Sequence, residues 1–342
     1  MNKESPTREK ISVFWFRRDL RLDDNKALAM ALSSGYPVLP LFIFDTEIID
    51  ELPGKDARVS FIYQQLEKIQ GQLNARNSSL RVLKGKAQVV WKEVLDNFEI
   101  QGVYANRDYE PYATKRDREL GDWLQSRGVG LHLFKDQVTF EAGDILKKDG
   151  KPYTVFTPYK RKWLEKFRGA APLKEAGEAG SGFLKSSFSF PPMEALGFTP
   201  SNQEVLPYDL SHLEDYARLR DFPGPDATSH LSPHLRFGTV SIRRIIARLG
   251  PSDEIFLSEL IWREFFMQIL FHFPQVVDHN FKPRYNGIAW LNHEENFQRW
   301  CEGRTGYPLV DAGMRQLNAS GYMHNRVRMV TAGFLCKHLL ID

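Results

Sequence analysis

The sequence predicts an α/β domain built on a five-stranded parallel sheet, then a long connection, then an all-α domain. Three observations carry this. Up to Phe134, short apolar runs alternate with segments of helical spacing, the pattern of parallel strands joined by crossover helices. From Lys135 to Leu206 the alternation breaks down and Pro, Gly and Ser cluster, which marks irregular chain. From Pro207 onward helical spacing dominates and no strand alternation competes with it.

The elements follow in order. Residues 11–16 form an apolar run read as the first strand, and 23–32 a helix capped by Asp23 or Asp24. Residues 38–44 make a second buried strand. The stretch 56–73 has helical spacing, with Phe61, Leu66, Ile69 and Leu73 on one side. Residues 80–83, 102–105 and 131–134 complete the sheet, separated by helices over 87–98 and 111–127. The domain therefore spans 10–134 and is Rossmann-like in layout. No G-x-G-x-x-G follows its first strand, however. Arg17-Arg18-Asp19-Leu20-Arg21 stands there instead, so a dinucleotide fingerprint is absent. The connection, 135–206, includes the Gly- and Ser-rich stretch 177–189 and Phe190-Pro191-Pro192, and reads as a partly mobile wrap over the surface. Helices are expected over 210–219, 241–249, 254–272, 294–301, 308–319 and 324–340, which gives an all-α domain over 207–342.

A chain of 342 residues suits two domains better than one core. A net charge of +3 excludes a histone-like polycation, so a nucleic-acid partner would need a local basic patch. After Leu206 the only lysines are Lys282 and Lys337, while arginines are frequent, and Arg suits phosphate forks and stacked sites. Aromatic residues make up 13%, which implies large cores, a planar ligand, or both. Cys301 and Cys336 form neither a metal pattern nor a disulfide framework, so no metal is expected and a reducing compartment is. The polar residues 1–10 carry no signal-peptide h-region, and no apolar run reaches membrane-spanning length. Together these point to the cytoplasm.

Three stretches hold candidate chemistry, each with a plainer alternative. Glu259, Trp262, Arg263 and Phe266 recur at helical spacing. They offer a carboxylate, an indole and a guanidinium for a ligand, or simply a salt-bridged helix with a core Trp. Asn325 and Met329 share a helix face at i and i+4, flanked by Arg326 and Arg328. That set suits a polar aromatic ligand with a phosphate, or is an N-terminal turn with solvated arginines. Thr228-Ser229-His230-Leu231-Ser232-Pro233 is a hydroxyl-rich loop before a helix, able to offer donors to phosphate oxygens or to act as an ordinary cap. Tyr216 and Arg220 precede it.

In order and wording these stretches resemble the class I enzymes of the photolyase/cryptochrome family. F-W-F-R-R-D-L-R-L-D-D-N from Phe14 resembles the family's opening strand and loop. Pro152-Tyr-Thr-Val-Phe-Thr-Pro-Tyr159 resembles its inter-domain segment, and residues 228–232 its flavin phosphate loop. Residues 259–265 resemble its lesion-facing helix. The segment Trp300-Cys-Glu-Gly-Arg-Thr-Gly-Tyr-Pro-Leu-Val-Asp311 and residues 321–329 resemble its most specific helical motifs.

The resemblance implies repair of cyclobutane pyrimidine dimers in UV-damaged DNA. In that scheme reduced FAD, held in the helical domain, gives an electron to a flipped-out lesion. Glu259 would hydrogen-bond the base edge, Trp262 would stack on the lesion, Met329 would pack on it, and Asn325 would sit near the flavin ring. Arg220 and Arg326 would hold flanking phosphates. Tyr216, Thr228, Ser229, Leu231, Ser232, Arg263 and Arg328 match flavin-side positions. His230 stands where Arg is frequent, and Phe256 where Trp is common. Trp290 matches the surface end of an electron relay. A lone His324, with Met329 where a second histidine would mark a six-four enzyme, favours the cyclobutane lesion. Asn106 and Glu110, in Asn-Arg-Asp-Tyr-Glu-Pro-Tyr, resemble contacts to an antenna pigment of folate or deazaflavin type. The resemblance further implies a monomer, and a C-terminal segment beyond Asp342 that completes the flavin cavity and gives Arg328 an acidic partner. The alternatives are a cryptochrome-like blue-light sensor and a non-catalytic DNA-binding fragment.

Overall fold

The computed structural model describes residues 8–168 and 181–342. Residues 1–7 of the polar N-terminus and 177–180 of the Gly- and Ser-rich stretch lie outside them. The described residues fall into two compact units that interleave along the chain. The first takes the described residues up to Pro200, with Ser232–Leu249 and Leu260–Pro274. The second takes Ser201–Leu231, Gly250–Glu259 and Gln275–Asp342.

The first unit contains β1 (Lys10–Phe16), α1 (Lys26–Leu32), β2 (Val38–Asp45), α2 (Thr46–Ile49), α3 (Ala57–Asn74), β3 (Arg81–Gly85) and α4 (Ala87–Asn97). After these come β4 (Glu99–Asn106), α5 (Pro111–Gln125), β5 (Leu131–Phe134) and α6 (Phe156–Arg168). The five strands form one sheet in the order β3-β2-β1-β4-β5, and every pairing is parallel. Strands β1 and β2 are buried on both faces, which is why their sequences are largely apolar rather than alternating. Phe14, Phe16, Phe42 and Phe44 point into one core with Leu28 and Leu66. Val13, Trp15, Leu41 and Ile43 point into the other with Trp91 and Leu124. The predicted five-stranded α/β domain is thus the one observed, with ends shifted by a few residues.

Three local expectations are corrected. The cap of α1 is neither Asp23 nor Asp24 but Asn25, whose side chain accepts from Leu28 N. Asp24 takes a positive φ of 45° and turns its carboxylate to Ser241 and to Arg243 Nε at 3.1 Å. The connection is not a surface wrap throughout. Phe183, Leu184, Met193, Leu196 and Phe198 are buried in the two cores, and Val38 N donates to Gly182 O at 2.8 Å. The connection also contains α6, which the Pro- and Gly-rich surroundings hid. Tyr159 and Trp163, one turn apart, bury its inner face.

Helices α8 (Leu231–Arg236) and α9 (Ile242–Ala247) bring their turn against the β1–α1 loop. Gly238 makes this possible. Its φ is +64°, and a Cβ there would stand 2.2 Å from Arg18 O. Phe237 O accepts from Leu20 N at 3.0 Å, and Gly238 O accepts from Arg21 Nη1 at 2.9 Å. Beneath the turn, Asp136 takes Arg21 Nη2 at 2.6 Å and Arg243 Nη2 at 2.7 Å. Buried charges persist only when paired in this way.

The second unit holds α7 (Leu213–Leu219), the first part of α10 (Glu254–His272), α11 (Glu294–Cys301), α12 (Pro308–Ser320) and α13 (Asn325–Lys337). Helices α12 and α13 meet at Gly313, where a Cβ would lie 2.4 Å from Val327 Cγ1. Met314, Met323 and Val327 form the small core there, with Trp300 and Leu317 against it. This packing turns Val327 and Thr331 inward and leaves Asn325 and Met329 on the exposed side of α13. Among the described residues, no helix is long and apolar enough to cross a membrane.

Candidate functional site

In the second unit the hydroxyl-rich loop is built around Tyr322. Thr228 Oγ1 and Tyr322 Oη lie 2.7 Å apart, and the His230 ring sits 4.9 Å from the Tyr322 ring. His230 has a φ of +48°, uncommon for a residue with a side chain. Its Nε2 lies 3.0 Å from Asp226 Oδ1, and the backbone of Ser229 accepts from Asp209 N at 2.9 Å. Thr228, Ser229 and His230 are half-buried, Leu231 is buried and Ser232 is exposed. Burial raises the Tyr322 hydroxyl above the usual phenol range, so it stays protonated.

Arg220, Glu259, Asp221 and Arg326 form a chain of alternating charge. Arg220 Nη1 meets Glu259 Oε1 at 2.6 Å, Arg220 Nε lies 3.4 Å from Asp221 Oδ1, and Arg326 Nε donates to the same oxygen at 2.7 Å. The sequence reading gave Arg220 to phosphate and Glu259 to a base edge as separate tasks. The fold makes them an ion pair, with Arg220 held further above its ordinary value by Glu259 against the opposing effect of burial. Tyr216 packs edge-on against Phe256 at 5.0 Å, and the Arg220 guanidinium lies 5.6 Å from the Tyr216 ring.

His324 caps α13 through its side chain, with Nδ1 accepting from Arg326 N at 3.2 Å. An accepting Nδ1 puts the proton of the neutral ring on Nε2. Burial lowers its affinity for a second proton, and Arg326 adds to this. His324 therefore acts as a neutral cap that sets the first turn of α13, and with it Asn325 and Met329. Arg326 Nη1 also approaches Met329 Sδ at 3.8 Å. Met329 is 60% exposed, and Asn325 and Arg328 are exposed as well. Trp290 is half-buried and, among the described residues, makes no ring contact with Tyr216, Phe256 or Tyr322.

The second half of α10 belongs to the first unit. There the Trp262 indole stacks face to face on Phe156, with centroids 3.5 Å apart and planes 8° apart. Arg263 donates to two carbonyls, Gln137 O at 2.7 Å and Leu235 O at 3.2 Å. Burial lowers its guanidinium to about 10. Glu264 is buried and accepts from Thr139 N at 2.6 Å, Phe140 N at 3.1 Å and Trp163 Nε1 at 2.7 Å. Sequence reasoning missed both Phe156 and Glu264. A carboxylate in the middle of an apolar helix, between Arg263 and Phe265, was the available signal.

The antenna candidates sit at the carboxyl end of the sheet. Asn106 is 1% exposed, and its amide is committed inside the fold. Its Nδ2 donates to Asp19 Oδ2 and Asn25 Oδ1, and its Oδ1 accepts from Ala27 N. Glu110 receives both Arg18 Nη2 and Arg236 Nη1 at 2.5 Å. Burial works against its charge, yet the two guanidiniums hold its carboxyl down to about 2.

Known proteins match nearly the whole chain. Residues 12–178 match the DNA photolyase domain, and residues 256–342 match the FAD binding domain of DNA photolyase. A deoxyribodipyrimidine photo-lyase of Halobacterium salinarum is 36% identical over 97% of this chain and 76% of its own length. One from Vibrio cholerae is 35% identical over 96% of this chain and 76% of its own. Among solved structures, a bacterial class III photolyase from Agrobacterium tumefaciens is similar at a TM-score of 0.84 and 30% identity, covering 100% of this chain and 76% of its own. An archaeal photolyase from Sulfolobus tokodaii, solved with two FAD molecules, is similar at a TM-score of 0.79 and 32% identity, covering 97% of this chain and 76% of its own. The α/β sheet, the helical residues that follow and these matches together show that the chain belongs to the photolyase/cryptochrome family and carries the DNA photolyase and FAD-binding domains of that family.

Proposed function

We propose that this protein repairs cyclobutane pyrimidine dimers in DNA, using light and an electron from reduced FAD. The observation that carries the reading is the Arg220–Glu259 pair joined through Asp221 to Arg326, on the same unit as the outward-facing Asn325 and Met329. These are the charge, amide and thioether that a neutral dimer of two adjacent crosslinked bases with flanking phosphates would use.

The donor set fits the cofactor. Thr228, Ser229 and Ser232 offer hydroxyls for a diphosphate, Arg328 a guanidinium on the flavin side, and Tyr216 with Phe256 makes an aromatic wall for planar rings. Leu231, His230, Glu259, Arg263 and Asn325 complete the residues we assign to FAD. His230, beside Asp226, replaces a permanent charge at the phosphate with a weaker contact. When bound and reduced, the flavin supplies the electron on excitation by blue light.

This chain's own residues have the remaining tasks. Glu259 accepts hydrogen bonds from the base edge, and Arg220, 2.6 Å from Oε1, holds that carboxylate in place. Trp262 stacks on the extruded bases, which cost less to flip when crosslinked than when intact. Met329 packs against the dimer, and Asn325 contacts the flavin side. Arg326 and Arg220 bind phosphates, so affinity falls with salt. Trp290 passes external electrons inward.

The functional domains we assign are an antenna-type domain over 10–134, a connection over 135–206 and a flavin- and DNA-binding domain over 207–342. Within the antenna-type domain, Glu110 and Asn106 mark the second-chromophore edge, with Asn106 acting from inside the fold. The wording of residues 259–265 and 321–329 supports class I. The protein works as a cytoplasmic monomer. The test is blue-light repair of a thymine dimer in an oligonucleotide by reduced, flavin-loaded protein. Dimer loss in light but not in the dark is expected, and equal persistence in both would overturn the reading. A photosensor is favoured by likeness to a Synechocystis cryptochrome with a TM-score of 0.79 and 25% identity. It would respond to light without removing dimers.

A further inference from the structure

The surroundings of Trp262 lead beyond the residues assigned so far. Its ring is not alone. Phe156, the first residue of α6, lies on it nearly coplanar, at 3.5 Å and 8°. Phe266, one turn along α10 and 60% exposed, lies 5.4 Å away at 21°. Phe265 meets both Phe156 and Trp262 edge-on, at 5.8 Å and 5.6 Å. Three rings of similar tilt, with Phe265 edge-on to two of them and at 60° to Phe266, make an aromatic cluster.

Two rivets hold Phe156 in that position. On one side Gln268 Nε2 donates to Tyr153 O at 2.9 Å. On the other, Trp163 Nε1 donates to the buried Glu264 at 2.7 Å, and Tyr159 packs on Phe265 at 5.2 Å. The segment on either side of Phe156 is therefore tied to α10, the helix that carries Trp262. A ring anchored on both flanks is not a plug free to swing aside. It is a backing plate.

We infer that Phe156 is a positioning residue for lesion recognition: by occupying one face of the Trp262 indole it fixes the rotamer in which Trp262 stacks on the dimer. This rests on the repair reading above. Stacking gains most when the platform is ordered before binding, because little side-chain entropy remains to be lost. Phe156 acts through Trp262 and need not touch DNA itself. Its contribution should therefore be to lesion preference and residence time, leaving phosphate contacts unchanged.

The experiment compares dark binding of flavin-loaded wild type, Phe156→Leu and Phe156→Tyr to a thymine-dimer duplex and to the undamaged duplex, across a salt series. For Phe156→Leu the ratio of the two affinities should fall about 3- to 10-fold, the size of one aromatic pair lost, with the salt slope of both duplexes unchanged. Phe156→Tyr keeps the ring and should keep the ratio within about two-fold. The proposal fails if Phe156→Leu retains the wild-type ratio. It fails also if Phe156→Leu binds the dimer more tightly, since the ring would then be a competing occupant, or if Tyr loses as much as Leu. Failure of the underlying reading looks different: wild type itself would show no preference for the dimer.

Discussion

Replacing Glu264 is the perturbation whose size can be worked most fully from the structure. Its carboxylate is 4% exposed and holds three donors from two separate segments: Thr139 N, Phe140 N and Trp163 Nε1. In Glu264→Ala all three lose their acceptor away from water, at roughly 1–3 kcal/mol each. Against this, the buried carboxylate no longer bears its desolvation penalty, several kcal/mol for a charge in such a place. Burial indeed pushes the Glu264 carboxyl up despite its donors. Subtracting the relieved penalty from the three lost bonds leaves a net loss of about 2–5 kcal/mol. Glu264→Gln keeps the bulk and one acceptor but turns an amide N–H toward a donor, so about 2–3 kcal/mol is expected. Urea unfolding followed by tryptophan fluorescence measures both, and Trp163 reports directly. If Glu264→Ala loses under about 1 kcal/mol, the carboxylate does not bind α10 to α6 and to residues 139–140 as described.

Further outcomes follow from the same structure. Burial raises the Asp19 carboxyl to about 6, with the charge of Asp136 adding to it and bonds from Arg17 N and Asn106 opposing it. A raised acid contributes stability that is full below about pH 4 and lost as pH climbs through 6, so Asp19→Asn should gain on wild type by up to about 3 kcal/mol across that window. A pH-independent difference would rule this out. Gly238→Ala places a methyl 2.2 Å from Arg18 O at a φ of +64°. The clash and the left-handed backbone together should cost about 2–5 kcal/mol, and a thermal midpoint within a degree of wild type would refute the tight turn. Trp262→Ala should weaken dimer binding by about 1–3 kcal/mol and leave undamaged DNA nearly unaffected. Equal losses on both would show that Trp262 does not touch the lesion.

How much of this was legible depends on distance along the chain. The sheet was readable because strands buried on both faces leave apolar runs, and residues 131–134 and 254–272 came out with the observed ends. Asn325 and Met329 at i and i+4 stated their common face directly, since helix geometry is local. The Arg220–Glu259 pair was not legible, because 39 residues separate its members and only the fold decides that they meet. Asn106 stood in a polar string as a contact to an antenna pigment, yet it is buried by contacts to Asp19, Asn25 and Ala27 that no local pattern encodes. Helix α6 could have been found. Tyr159, Trp163 and Phe167 recur every fourth residue, but Pro158 and the irregular chain around it outweighed that period. His324 stood in a motif as a mark of lesion type. Its work as the cap of α13 appears only once Nδ1 is seen 3.2 Å from Arg326 N.

The central claim is that this chain removes cyclobutane dimers by light. The most direct measurement gives reduced, flavin-loaded protein two oligonucleotides in parallel, one with a cyclobutane thymine dimer and one with a six-four product, under blue light and in the dark. Restoration of the cyclobutane substrate alone, and only in light, is predicted. Persistence of the cyclobutane dimer in light, or restoration of the six-four product instead, would contradict it.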